Sequence, residues 1–303
     1  MEKQLTKYQS KLHEKLSNHT FVYTTETTPP DASDQDILLT KIMPLKGVVD
    51  AVNVTDNPGA KVHMSALTAS IILSLNNVES ILQLTVRDRN RLSLQGDLVG
   101  ASALGVHNIL CLSGDDPKKG DQPKSIAVND INSLKLIEIA NTMRRDGKFL
   151  SGRAIEPSPK LFIGSAEAPS QKKPNLEKIM KKIKSGADFF QTQYVFDELL
   201  LKKYMKVLND AGVPQETSFL IGLGPFASAK RAKWMNDNLY GVNIPEKIIK
   251  RLEQSKNQKE ESKKICIELI QVYREIDGVR GVHLMGYNKE KEIAEIIKEV
   301  KKS

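Results

Sequence analysis

Cysteine is scarce. Cys111 and Cys266 are the only two in 303 residues, far apart and in no C-x-x-C spacing. This excludes a disulfide framework and the usual cysteine-based zinc sites, so no metal is expected and a reducing, cytoplasmic setting is. Aromatic residues make up 5% of the chain, with a single tryptophan, and they are not interleaved with the basic residues. A stacking platform for single-stranded nucleic acid is therefore not expected. No stretch approaches the roughly 20 apolar residues of a transmembrane helix. The first twenty residues lack the apolar run of a secretory signal, so no membrane partner is expected. Leu5, Tyr8, Leu12 and Leu16 recur there at helical spacing, which predicts a short amphipathic helix within residues 1–19, packed on the domain. A P-loop, H-E-x-x-H and G-x-S-x-G are also lacking. His107 and His283 stand beside or in predicted strands and read as core or rim residues rather than ligands.

What the chain does have is positive charge, with a formal net value of +8. Many lysines, such as Lys178, Lys181, Lys182 and Lys184, fall on one predicted helix. A solvated surface is the first reading of this excess, and attraction of a polyanionic small molecule is the second.

Short apolar runs alternate with longer helical patterns, the signature of βα units and a parallel sheet. Strands are predicted near Phe21–Thr25, Val48–Val54, Ser80–Thr85, Asn108–Leu112, Leu161–Gly164, Phe189–Gln193, Ser218–Leu223 and Val282–Met285. Eight such units argue for one closed (β/α)8 TIM barrel, α/β in class, over residues 1–303, since no Gly-, Pro- or Ser-rich linker divides the chain. The interval between the last two strands holds three helical patterns, near Ala229–Asn238, Pro245–Glu253 and Glu261–Ile276. Residues 114–128 form a long loop, and loops of that length within compact domains are usually functional.

In a barrel the chemistry sits at the carboxyl ends of the strands. The residues placed there are Glu26, then Thr55 and Asp56, then Gln83, Thr85 and Arg87. Ser113, Gly114 and Asp115 follow, then Glu167, Gln193, Gly222, Gly224 and Pro225, and last Tyr287 and Asn288. A carboxyl at the end of a buried strand is costly unless paired or used, which singles out Glu26 and Asp115. A structural hydrogen bond to loop backbone is the competing reading, and Gln193 could simply tie two loops together. Gly222-Leu223-Gly224-Pro225-Phe226-Ala227 matches a loose G-x-G-x-x-A. It lacks the second strand with an acidic end that a dinucleotide fingerprint needs, and Pro225 intrudes.

Four segments, in this order and spacing, resemble the methylenetetrahydrofolate reductase family over nearly the whole chain. They are Thr25-Glu26-Thr27-Thr28-Pro29-Pro30, Asn53-Val54-Thr55, Leu112-Ser113-Gly114-Asp115-Asp116-Pro117, and the run from Gly186 to Asp197 with its Thr192-Gln193 and Phe196-Asp197. The resemblance implies a (β/α)8 barrel of one-carbon metabolism. A reduced nicotinamide cofactor, NADH or NADPH, would pass hydride to a flavin, FAD or alternatively FMN, and thence to 5,10-methylenetetrahydrofolate, giving 5-methyltetrahydrofolate. By matching position it implies Glu26 as the general acid that protonates the leaving nitrogen. Asp115 would contact pterin and flavin. Thr55, Gln83, Gly114 and Lys182 would lie along the cofactor, and Gln193, Phe226 and Lys289 would meet the substrate, a polyglutamylated folate. Gln83 stands where the family has a histidine, Ser113 an arginine and Asn175 an acidic residue, which implies a flavin held more loosely. A flavin-independent reductase, a non-redox pterin-binding barrel, a subunit of a methyl-transfer complex and a homo-oligomer all stay open at this point.

Overall fold

The computed structural model describes residues 9–169, 174–213 and 217–302. Eight parallel strands close in sequential order. They are β1 (Val22–Thr27), β2 (Ala51–Val54), β3 (Ser80–Thr85), β4 (Asn108–Leu112), β5 (Phe162–Glu167), β6 (Phe189–Tyr194), β7 (Ser218–Leu223) and β8 (Val279–Leu284). The helices are α1 (Lys11–Ser17), α2 (Gln35–Ile42), α3 (Ala66–Leu75), α4 (Arg91–Ala103), α5 (Ser133–Asp146), α6 (Leu176–Ser185), α7 (Glu198–Asp210), α8 (Ala229–Asn238), α9 (Glu246–Gln254), α10 (Gln258–Arg274) and α11 (Glu290–Val300). The predicted barrel and the three helices between its last two strands are thus present. Several boundaries differ: β2 starts at Ala51 rather than Val48, and β5 runs on to Glu167 rather than ending at Gly164. β1 runs on to Thr27, which puts Glu26 inside the strand, and β8 starts at Val279, three residues before the apolar run that announced it.

Short polar residues set where the helices after the strands begin. Asp34, Ser65, Asn90, Asn132, Asn175, Asp197 and Ser228 each accept a backbone N–H of the first turn with their own side chain. Gly147 and Gly186, at positive φ, end α5 and α6.

Two apolar layers form. The larger lies between sheet and helices. The smaller fills the amino-terminal half of the barrel with Val22, Ala51, Ile81, Leu110, Phe162, Phe189 and Leu220, and it includes Leu12 and Leu16 of α1. The predicted amino-terminal helix therefore plugs the barrel floor. Its His13 ring stacks on Phe162 at 4.5 Å, and Leu12 N–H donates to Glu79 at 2.7 Å. Leu5 and Tyr8 lie outside the described residues. Phe189 needs the absence of a neighbour: a Cβ on Gly164 would stand 2.3 Å from its ring.

Above that layer the barrel interior turns polar. Asn53 and Gln191 exchange two amide hydrogen bonds, 2.6 and 3.0 Å, and Gln191 Nε2 also donates to Thr24 Oγ1 at 3.2 Å. Thr24 Oγ1 lies 3.1 Å from His283 Nδ1. Burial pushes the His283 imidazole down to about 3, so it stays neutral and serves as a hydrogen-bonding core residue. This satisfied layer is the floor of the cavity described next.

Candidate active site

A cavity of about 360 Å3 opens at the carboxyl ends of the strands, and a volume of this size suits one planar heterocycle. Glu26, Gln83 and Gln193 line it together with apolar Leu110, Leu112, Ala166 and Met285. Lys178 and Tyr240 stand at its mouth. Alternation along β1, β3 and β6 aims these side chains inward, because successive strand residues point to opposite faces.

Glu26 is the acidic group of greatest interest here. Burial and, after it, the carboxylate of Glu290 push its carboxyl up to about 7, against the pull of the Gly286 N–H and of Lys41. A carboxyl that titrates near neutrality in a cleft is suited to giving up a proton in turnover. Glu290, in the first turn of α11, is itself buried. It accepts from Thr27 Oγ1 at 2.9 Å and pairs with Lys41 at 3.3 Å.

The other expected site residues divide into two groups. Gln83 presents its amide to the cavity, and Gln193 lines it with its Oε1 accepting the adjacent Tyr194 N–H at 2.9 Å. The remainder are engaged elsewhere. Asp115 is solvent-exposed and accepts from Gly59 N–H at 2.7 Å, so it makes the loop-backbone contact that competed with a catalytic reading. Its loop folds over the β2–α3 connection, where Val62 N–H donates to Asp121 at 3.1 Å. Gly114 takes φ +88, and a Cβ there would press on Arg87 at 2.9 Å and Thr85 at 3.1 Å, so the position favours glycine on both counts. Thr55 donates to Thr27 O at 3.2 Å. Phe226 is only 1% exposed, its ring 4.5 Å from that of Phe196, so it does not offer a face to a ligand. Lys289 pairs with Glu292.

Lys182 is drawn inward. It is buried one turn from Ile179 on α6, donates to Ala166 O at 2.6 Å and meets Glu167 at 3.2 Å. Burial holds its ammonium below the ordinary lysine range, opposed by Glu167. At the ends of β2 and β3, Asp56 accepts from Thr85 N–H and Oγ1, both at 2.9 Å, and from Arg89, while Arg87 pairs with Asp88 at 2.6 Å. These pairs brace strand ends, which is the structural alternative for a strand-end charge.

These positions bear on the expected flavin. The cavity has room for one planar ring, lined by apolar Leu112, Ala166 and Met285 and by the amides of Gln83 and Gln193, so a flavin ring and a pterin would compete for it. A dinucleotide tail needs cations for its phosphates. Lys182, expected along the flavin, is paired with Glu167 within the protein, while Lys178 stands at the cavity mouth. The fit is partial: the lining suits one ring, not a flavin and a pterin together.

Sequence reasoning missed Tyr240, Lys41 and Glu290. Tyr240 is 89% exposed at the cavity mouth, in the connection between α8 and α9, and no motif marks it. Lys41 lies on the helix that follows β1, and Glu290 lies on the last helix, which the closed barrel brings beside it. The polar floor had a signal: Asn53, Gln191 and His283 interrupt apolar strands at inward positions.

An eight-stranded barrel with an acid-bearing cleft at its carboxyl-terminal mouth is the arrangement of a (β/α)8 enzyme. The chain belongs to the methylenetetrahydrofolate reductase family, whose model matches residues 11–301. It is 26% identical over 244 residues to a protein of Caenorhabditis elegans named probable methylenetetrahydrofolate reductase (NADPH), covering 78% of this chain and 34% of that one. It is 23% identical over 248 residues to methylenetetrahydrofolate reductase 2 of Schizosaccharomyces pombe, covering 79% and 38%. The chain thus spans between a third and two-fifths of the length of these relatives. Among solved structures, a Clostridium thermocellum protein described as binding two copies of 5-methyl-5,6,7,8-tetrahydrofolic acid shares the fold. Its TM-score is 0.62 at 17% identity, over 95% of this chain and 98% of that one. No helix among the described residues is long and apolar enough to cross a membrane.

Proposed function

We propose that this chain reduces 5,10-methylenetetrahydrofolate to 5-methyltetrahydrofolate at the expense of NADH or NADPH, with Glu26 as the general acid. The observation that carries this reading is a carboxyl titrating near 7 in the strand-end cavity of a chain of this family. Protonated Glu26 gives its proton to the leaving nitrogen of the imidazolidine ring. The C–N bond opens to an iminium, and hydride adds to the one-carbon unit. Gln83 and Gln193 supply amide donors and acceptors to the pterin edge, and Leu112, Ala166 and Met285 exclude water from its faces. Lys178 and Tyr240 stand where the aminobenzoyl-glutamate tail leaves the cavity, a cation and an aromatic face for an anionic, aromatic segment. The likeness to a folate-binding barrel agrees with this ligand class.

A flavin, FAD before FMN, belongs to this reading as a carrier of hydride when bound. The internal pairing of Lys182 with Glu167 supports loose, exchangeable binding. Asp115, turned to Gly59, contributes to the reaction only if its loop rearranges. The test is anaerobic turnover of methylenetetrahydrofolate with NADH and with NADPH, each with no flavin, FAD or FMN added. Formation of 5-methyltetrahydrofolate is the expected result. Binding of the folate without any reduction under all six conditions would instead make this a pterin-binding barrel.

A further inference from the structure

Glu290 of α11 and Lys41 of α2 gather at the end of β1, the strand that carries Glu26. Glu290 takes the hydroxyl of Thr27 at 2.9 Å and the ammonium of Lys41 at 3.3 Å. Lys41 also donates to Thr28 O at 3.0 Å and lies 5.8 Å from the Tyr287 ring. Glu290 stands in the first turn of α11, where the helix dipole favours an anion. The donor to Glu26 is the Gly286 N–H. One cation cannot neutralise two buried carboxylates, so the cluster holds a proton. Glu290, which holds the Lys41 ammonium and the Thr27 hydroxyl, takes the charge, and the proton remains on Glu26.

We infer that Glu290 is a positioning residue of the reaction, keeping the carboxyl of Glu26 in its acid form, while Lys41 sets the opposing limit. This rests on the function proposed above for Glu26. Among the described residues, no other charged group facing Glu26 duplicates the effect. Across the cavity, Glu167 is tied to Lys182 and Lys178 is at the mouth. The Tyr194 phenol on β6 and the His283 imidazole on β8 are both held neutral by burial. Tyr240 is at the rim.

The test pairs a pH profile with a titration that needs no turnover. In Glu290→Gln the pH above which folate reduction falls should drop by about 1 unit or more, as expected when a nearby like charge is removed. The rate should then fall about tenfold near pH 7.5 and hold within a few-fold near pH 5.5. In Lys41→Met the same limb should move to higher pH. The infrared carbonyl band of protonated Glu26, isolated by difference from Glu26→Gln, should titrate at lower pH in Glu290→Gln and at higher pH in Lys41→Met. Thr27→Val, which removes the hydroxyl that seats Glu290, serves if Glu290→Gln does not fold, and should move the band in the direction of Glu290→Gln. An unmoved band in the folded variants overturns the inference. A shifted band in a protein that never reduces the folate leaves the proton coupling standing and removes the proposed function.

Discussion

Replacing Glu26 by glutamine abolishes a displaced proton equilibrium, and its effect on stability must change with pH. The carboxyl titrates at about 7 in the folded chain, against 4.5 for an ordinary glutamate. Below both values it is protonated folded and unfolded, and contributes nothing. Between them the native state binds more protons than the unfolded state, so unfolding free energy falls as pH rises. Above 7 the full penalty for a buried carboxylate applies. At roughly 1.4 kcal/mol per pH unit the rise sets an upper figure of about 3 kcal/mol. Glu26 keeps part of its surface on the cavity, so solvent reduces this to about 1–3 kcal/mol. Glutamine keeps the shape and an acceptor for Gly286 and carries no such penalty. Urea unfolding of both proteins, followed by circular dichroism at pH 5 and pH 8, isolates the effect, because other titrating groups cancel between variants. The variant should gain about 1–3 kcal/mol relative to the parent on going from pH 5 to pH 8. An equal difference at the two pH values, or a gain toward acid, would refute the argument.

Lys182→Met should strand Glu167 among buried groups and cost about 3–5 kcal/mol, read by urea unfolding, with much of the loss recovered when Glu167→Gln is added. Leu12→Ala should remove the plug of the barrel floor at a cost of about 2–5 kcal/mol, seen as a lowered melting temperature. Tyr240→Ala should raise KM for the folate about three- to tenfold, the worth of one aromatic contact, with kcat nearly unchanged. An equal fall in kcat would place Tyr240 in the chemistry instead.

The barrel was legible because each unit carries agreeing local signals. Asn90 before Arg91 and Asp197 before Glu198 mark helix starts, and runs such as Ser218-Phe219-Leu220-Ile221 read as strands buried on both faces. β8 was predicted late because Arg280 and Gly281 weaken its apolar pattern, although pairing with β1 and β7 makes it strand from Val279. Glu26 was legible from its place after an apolar run. Its partners were not, since Lys41 and Glu290 reach it from helices 15 and 264 residues away in sequence. Asp115 and Lys182 sat in recognisable segments, and what their side chains bond to depends on Gly59 and Glu167, which no spacing rule connects to them.

The central claim is that Glu26 delivers the proton that opens the folate ring. Anaerobic conversion of 5,10-methylenetetrahydrofolate to 5-methyltetrahydrofolate, followed in the parent and in Glu26→Gln at pH 6.5 under single-turnover conditions, tests it most directly. The account predicts a loss of roughly 10²–10⁴-fold in the rate of methyl formation, with folate affinity changed little. An undiminished rate in Glu26→Gln would contradict it.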